Sequence, residues 1–588
     1  MRIAKTVAIK HKLLPGNKLL VLVLFVYIFW FLSILLTPPI DKVLPPDPFI
    51  FAKNLSLIYW FSFVMLLIVI VYRLLFLEEE RKPILDFLII TGLVLMIYGT
   101  TNIIYYLPLY VDTYIHTSAS LKILLRGHTP PPVTMMAASN EPGAYLLYST
   151  FMLITSIDSI FFMKFYPVIF SFIMLFTLYV ISKKFTNSKI AIISPMIYVA
   201  FHYFIVYVYP GDLAQLFFLL FIYLLLLYFE TKSMKFVYLL LPIALSGMST
   251  YGLFPFVTIP PFIILVLYYS LTHQENRVYK VLSVTVFIVI IAWILWLTNS
   301  SLGALRIINS IISAISMRES IELPVKVVSS PSIRIMTLLI KLFITAFVIL
   351  LGVAVIFWSL ANIKAVKMRQ RLLVPAIFFI ICILGVAFSA FFSSLTMGAY
   401  SRFYWFSLMP FSILMSLYLF NNKEVGHSRL GKFNRALNWT FIIGLMVFLS
   451  LSPVIIHDND PGYYYPSSSL KGADFAVKNL KGNVIWVEHH VHLIEYMALR
   501  NGILFEGYMD FQENETTRFI SLPKYIKIYG NKSSNYYAVI FNDYEDSLDV
   551  LSGYIDRVSQ RRLYEQQISQ KLNLVYFGGS IRIYAKSK

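Results

Sequence analysis

The sequence predicts an α-helical polytopic membrane protein of about thirteen transmembrane helices, with a small C-terminal α/β domain. Three observations carry this. The 588 residues are 58% hydrophobic and only 13% charged, more apolar than a water-soluble domain tolerates. Apolar stretches of spanning length recur between residues 19 and 456. The net charge of +19 is confined to the same part. Residues 457–588 hold 15 Lys/Arg and 15 Asp/Glu, which leaves 34 basic and 15 acidic side chains in residues 1–456. Basic residues placed in short loops between apolar stretches are a topology signal rather than a nucleic-acid-binding one.

The apolar stretches fall at 19–37, 55–76, 84–108, 162–182, 190–208, 213–229, 236–253, 254–271, 281–298, 336–359, 373–395, 403–420 and 436–456. With a cytoplasmic N-terminus, Arg81 and Lys82, Lys183 and Lys184, Lys232 and Lys235, Arg277 and Lys280, Lys364 through Arg371, and Lys423 through Arg435 all fall on the cytoplasmic side. The positive-inside rule then holds along the whole membrane part, 1–456. It holds only if residues 143–160 do not cross. That stretch is short, dotted with Ser and Thr and ended by Asp158, so it reads as a helix lying in the outer interface. The run 236–271 contains Pro242, Gly247, Gly252, Pro255, Pro260 and Pro261 and reads as a broken hairpin turning near Ser249–Tyr251. Two long outer loops follow from this topology, 109–142 and 299–335. The second has an amphipathic stripe of Leu305, Ile308, Ile312 and Ile315.

After residue 457 the pattern changes. Asn483–Val487, Tyr537–Phe541, Leu574–Phe577 and Ile581–Tyr584 read as strands, the last two as a hairpin with Gly578 and Gly579 in its turn. Leu470–Leu480 and Ser547–Gln560 read as helices. Topology puts this α/β domain, 457–588, outside the cell membrane.

The lone cysteine, Cys382, excludes a disulfide framework within the chain. No phosphate-binding Gly-rich loop, Gly-x-Ser-x-Gly or His-Glu-x-x-His is present. Glu488-His489-His490 with His492 resembles a metal cluster, but no second group at ligand spacing accompanies it, and His490 and His492 read as one face of a strand end.

The chemistry-bearing residues concentrate on the outer side. The first outer loop opens Asp112-Thr-Tyr114-Ile-His116 and continues through Lys122 and Arg126 to Gly127. A carboxylate and an imidazole at the mouth of an apolar helix are costly. On a helix the two share a face; Asp112 is either a first-turn cap or a carboxylate base, and His116 either packs or orients it. Glu141-Pro142-Gly143 leads into the interfacial helix. Tyr209-Pro210-Gly211-Asp212 forms a later outer turn, where Asp212 is a cap or a site acid. Arg402, at the outer end of its span, either snorkels or clamps phosphate.

These motifs together resemble the GT-C glycosyltransferases, the polytopic class of protein mannosyltransferases and oligosaccharyltransferases, in their archaeal and bacterial forms. Asp112, Tyr114, His116 and Gly127 match the pattern of their first outer loop. Glu141-Pro142-Gly143, Tyr209 through Asp212, and the Arg402 segment match later parts. The resemblance implies a polyprenyl-phosphate sugar lipid as donor, a glycan, lipid or protein acceptor, and transfer with inversion. It casts Asp112 and His116 as catalytic, Arg402, Lys122 and Arg126 as holding the donor phosphate, and Glu141 and Asp212 as substrate-binding. No Asp-x-Asp pair stands in the outer loops between the apolar stretches, so a divalent metal is compatible but unsupported. The other readings are a lipid-linked glycan polymerase or ligase, which would place its site at Arg306 and Arg318, and a transporter, which would show inverted repeats.

Overall fold

The computed structural model describes residues 16–41, 50–75, 83–129, 142–203, 206–272, 276–299, 331–362, 366–391, 399–421, 429–455, 467–479, 484–486, 491–502, 537–541, 573–577 and 581–585. In chain order the helices are α1 (Gly16–Leu36), α2 (Ile50–Asn54), α3 (Leu57–Leu75), α4 (Pro83–Val94), α5 (Thr100–Ile104), α6 (Val111–Arg126), α7 (Pro142–Thr155), α8 (Ser159–Phe185), α9 (Ser188–Ala191) and α10 (Ile193–Phe201). Then come α11 (Pro210–Thr231), α12 (Met234–Thr250), α13 (Phe254–Thr272), α14 (Asn276–Asn299), α15 (Pro331–Asn362), α16 (Val366–Phe391), α17 (Ala399–Asn421) and α18 (Arg429–Ile455). The C-terminal region adds α19 (Ser467–Asn479), β1 (Val484–Trp486), α20 (Val491–Arg500), β2 (Tyr537–Phe541), β3 (Asn573–Phe577) and β4 (Ile581–Ala585).

Among the described residues, eight helices are long and apolar enough to cross a membrane. Five further crossings expected from the sequence fall on shorter apolar helices, Ser188–Phe201, Met234–Thr250, Phe254–Tyr268, Val281–Leu295 and Asn438–Val454. The span expected over 190–208 stops being helical at Phe201, and residues 202, 203 and 206–209 are not helical. The stretch read as interfacial is α7, only 14 residues long. It ends before Asp158, whose side chain caps α8 by accepting the Ile160 N–H at 2.8 Å. The expected hairpin is present as α12 and α13, with Tyr251 between them.

Burial grades the bundle. The most enclosed spans are Ser401–Phe420, Pro83–Ile104 and Pro210–Thr231, while Lys18–Leu36 and Leu339–Phe357 are the least. The second of these enclosed spans is interrupted by a π-helical turn, Leu95–Gly99, closed by the Thr100 N–H to the Leu95 carbonyl. The extra residue loosens the backbone ladder, and neighbouring side chains take up carbonyls there: Tyr59 Oη donates to Met96 at 2.9 Å and Asn102 Nδ2 to Tyr98 at 2.6 Å. Backbone hydrogen bonds from Ile40 to Ile104 and from Tyr106 to Ile40 fasten the segment after α1 to the end of α5.

At the opposite end of α4, Asp86 is fully buried and forms an ion pair with Arg73 at 2.9 Å. Tyr179 and Ser188 also donate to Asp86. One carboxylate thereby ties α3, α4, α8 and α9 together.

The C-terminal strands form a sheet in the order β1-β2-β4-β3, with β1 and β2 parallel and β4 antiparallel to both its neighbours. The pairing of β3 with β4 agrees with the expected hairpin. One expectation is corrected here: His492 is the second residue of a helix, α20, not part of a strand. Residues 488–490, the stripe at 305–315, Arg306, Arg318, and the helix expected at 547–560 lie outside the described residues.

Candidate functional site

The helix that opens the first long loop is short and amphipathic. Tyr110, in extended conformation, is the N-cap of α6, and Asp112 is the acid of its first turn. A carboxylate there meets the partial positive charge of the helix N-terminus. The helix ends where the sequence places glycine: Gly127 has φ 74° and its N–H returns to Ile123 at 2.8 Å.

His116, one turn after Asp112, points to α7. Its Nδ1 lies 2.8 Å from Tyr145 Oη, and the two rings stack at 5.9 Å. Ser149 Oγ fastens the same two helices by donating to the carbonyls of Ser120 and Tyr145. The imidazole also meets Tyr209 edge-on at 5.3 Å and Tyr207 at 6.2 Å.

Those tyrosines belong to the connection before α11. Tyr209 is the N-cap of that helix, Pro210 its first residue and Asp212 the acid of its first turn. Gly211 is required by packing: a Cβ there would lie 2.3 Å from the Tyr209 ring, which Tyr251, Trp405 and His116 hold in place. Tyr209 Oη is 2.7 Å from Tyr251 Oη, and the Arg402 guanidinium stands over the Tyr251 ring at 5.9 Å. An unbroken line of aromatic contacts therefore runs from His116 through Tyr209 and Tyr251 to Arg402.

Tyr207 is the centre of the charges. Its ring lies 4.1 Å from that of Tyr110. Its hydroxyl is enclosed, although the residue keeps some exposed surface. Asp112, Asp212 and Arg402 all lie within electrostatic reach of that hydroxyl, the two carboxylates acting with one sign and the guanidinium with the other. A small cavity adjoins it, lined among others by Tyr98, Asn102, Tyr110, Thr113 and Tyr207.

Asp212 is 4% exposed. The Tyr207 backbone N–H donates to its carboxylate, while Oδ2 has no hydrogen-bond partner among the described residues. One turn further on, Gln215 is buried too, with Oε1 accepting from Tyr198 at 2.8 Å.

Of the residues singled out in the sequence, the structure brings Asp112, His116, Asp212 and Arg402 to one end of the bundle. It does not bring Lys122 and Arg126 with them. Lys122 is buried on the third turn of α6 and Arg126 is its last residue, about 15 and 21 Å of helix rise from Asp112. Glu141 lies outside the described residues. No group of three or more His, Cys, Asp or Glu side chains assembles among the described residues. The sequence reading missed Tyr110, Tyr145, Tyr207 and Tyr251. Their signal was position: each stands within five residues of a turn acid or of a Pro/Gly break in the chain.

No known family's pattern matches this sequence, and no curated protein matches it. The solved structures do provide a match. The chain is similar in fold to the oligosaccharyltransferase of Archaeoglobus fulgidus, seen in its apo form. The TM-score is 0.52 over 83% of this chain and 73% of that one. At 10% identity the likeness to the oligosaccharyltransferase is one of fold alone, and no residue role transfers with it.

Proposed function

We propose that the protein is a glycosyltransferase that moves a sugar from a polyprenyl-phosphate-linked donor to an acceptor hydroxyl, with inversion, at the outer face of the membrane. The observation that carries this reading is that Asp112, Asp212 and Arg402 all lie within electrostatic reach of Tyr207 at one end of the bundle. An oligosaccharyltransferase-like fold agrees with transfer from a lipid-linked donor.

The residues divide the chemistry as follows. Asp112 takes the proton of the acceptor hydroxyl as its oxygen attacks the anomeric carbon. The bond from that carbon to the phosphate oxygen breaks, and its electron pair leaves on the phosphate. Arg402, which is solvent-exposed, meets the growing charge on the departing phosphate. His116, held by Tyr145, orients the acceptor against Asp112. Asp212, with an oxygen that has no hydrogen-bond partner among the described residues, binds a hydroxyl or amide of the substrate. Arg126 serves the approach of the lipid phosphate rather than the reacting atoms, given its distance along α6, and Lys122, which is buried, drops out of the phosphate site.

The direct test is transfer of labelled sugar from a polyprenyl-phosphate donor by the purified full chain. Asp112→Asn is expected to lower kcat by at least ~100-fold. Undiminished activity in that variant ends the assignment of the base, and no transfer from any such donor ends the reading.

A further inference from the structure

The C-terminal region touches the site helix from behind, and this contact has a role of its own. On α6 the Asp112 and His116 side chains lie on one face; Tyr114, two residues from each, lies on roughly the opposite face. Helix α20 packs along α6 there. Tyr114 and Tyr496 are both fully buried, and their rings meet edge-to-face at 5.2 Å, the arrangement that aromatic quadrupoles favour.

The same tyrosine reaches a second element. Tyr496 Oη lies 2.8 Å from Ser159 Oγ, a buried contact at the first residue of α8. One turn along, Arg500 pairs with Asp158, the N-cap of α8, at 2.9 Å. Helix α8 in turn supplies Met163 and Pro167 to the wall of the cavity beside Tyr207. So α20 spans the gap between the helix that carries the acid and the helix that lines the cavity. Leu493, Tyr496 and Met497, all buried, have the i, i+3, i+4 spacing of a docking stripe. Helix α19, packed on α20, is itself moored by Asp41, which accepts from the Ser467 backbone at 2.7 Å and from its hydroxyl.

We infer that α20 is a brace that fixes α6 against α8, and that Tyr496 is a positioning residue for Asp112 and His116. The exposed Arg500–Asp158 pair adds little by itself; the buried ring carries the brace. A brace of this kind sets where the acid stands without touching substrate. Its loss therefore lowers turnover while leaving donor affinity, which resides at Arg402, in place.

The inference rests on the transferase reading only for its kinetic consequence, and its primary test needs no activity. Hydrogen exchange is measured on the full chain in lipid nanodiscs. Tyr496→Ala is expected to speed amide exchange across residues 111–126 by about tenfold or more, with 210–231 and 399–421 unchanged. Tyr496→Phe retains the ring and is expected to restore wild-type protection. In the transfer assay, Tyr496→Ala is expected to lower kcat by about tenfold with donor KM nearly constant, and Tyr496→Phe to recover it. If the alanine variant cannot be purified folded, Tyr496→Leu serves in the same comparison. Unchanged exchange over 111–126 in the truncated variants overturns the brace. Altered exchange in a protein whose wild type transfers no sugar leaves the brace standing and removes the transferase.

Discussion

His116 Nδ1 and Tyr145 Oη stand 2.8 Å apart, with their rings stacked. The contact joins α6 to α7 and sets the direction of the imidazole one turn from Asp112. Tyr145 is fully buried, so its hydroxyl serves this partner rather than solvent. Tyr145→Phe keeps the ring and deletes the bond. We expect kcat for sugar transfer to fall by about tenfold with donor KM little changed, as read by steady-state kinetics. Wild-type turnover in this variant would show that His116 is oriented by packing alone.

The Arg73–Asp86 pair is buried on both sides, with 1% and 0% of the side chains exposed. Removing one partner leaves a charge stranded in a low dielectric, which costs about 3–5 kcal/mol. Arg73→Met and Asp86→Asn are each expected to lower the thermal midpoint of the detergent-solubilised protein strongly. The double variant Arg73→Met with Asp86→Leu is expected to recover much of the loss, because paired apolar side chains replace the desolvated charges.

Gly211→Ala tests the turn before α11. The added methyl meets the Tyr209 ring at 2.3 Å, and that ring is hemmed in by Tyr251, Trp405 and His116. Displacing it costs about 1–3 kcal/mol and moves the hydroxyl that bonds Tyr251. Activity is expected to drop more than stability, seen by comparing transfer rate with thermal midpoint. A neutral effect on both would show that the ring is free to swing.

Burial pushes the Tyr496 hydroxyl well above its ordinary value of 10.0, a shift the Ser159 contact and Arg500 partly oppose. The folded form thus holds its proton longer than the unfolded chain does. Its contribution to stability is complete below pH 10 and declines as pH rises beyond it. Thermal midpoints of the wild type and Tyr496→Phe, followed from pH 8 to pH 11, are expected to run parallel to about pH 10 and then to converge or cross as only the wild type loses this term. Parallel curves throughout would place the hydroxyl in contact with water.

Much of the architecture was legible from periodicity. Eight of the expected spans follow from apolar runs of bilayer length, the broken hairpin from Pro242 through Pro261, and the β3–β4 pairing from alternating residues around two glycines. The misreadings have local causes. The 190–208 run stays apolar past Phe201, so hydropathy does not register that the backbone leaves the helix there. The segment at His492 carries too few residues for strand and helix periods to separate. The candidate site was half legible. Asp112, His116, Asp212 and Arg402 stand out because charge at the end of an apolar helix is costly, whereas tyrosines do not stand out in a chain with 40 of them.

The sequence by itself determined which segments leave water and which end of each segment bears charge, because transfer free energy is additive along a chain and blind to neighbours. Only the tertiary structure decided that residues 112, 212 and 402 lie within electrostatic reach of one tyrosine and that α20 backs the site helix. Those are facts of distance between segments a hundred or more residues apart, fixed by how side chains interlock across helices rather than by any property of a single stretch.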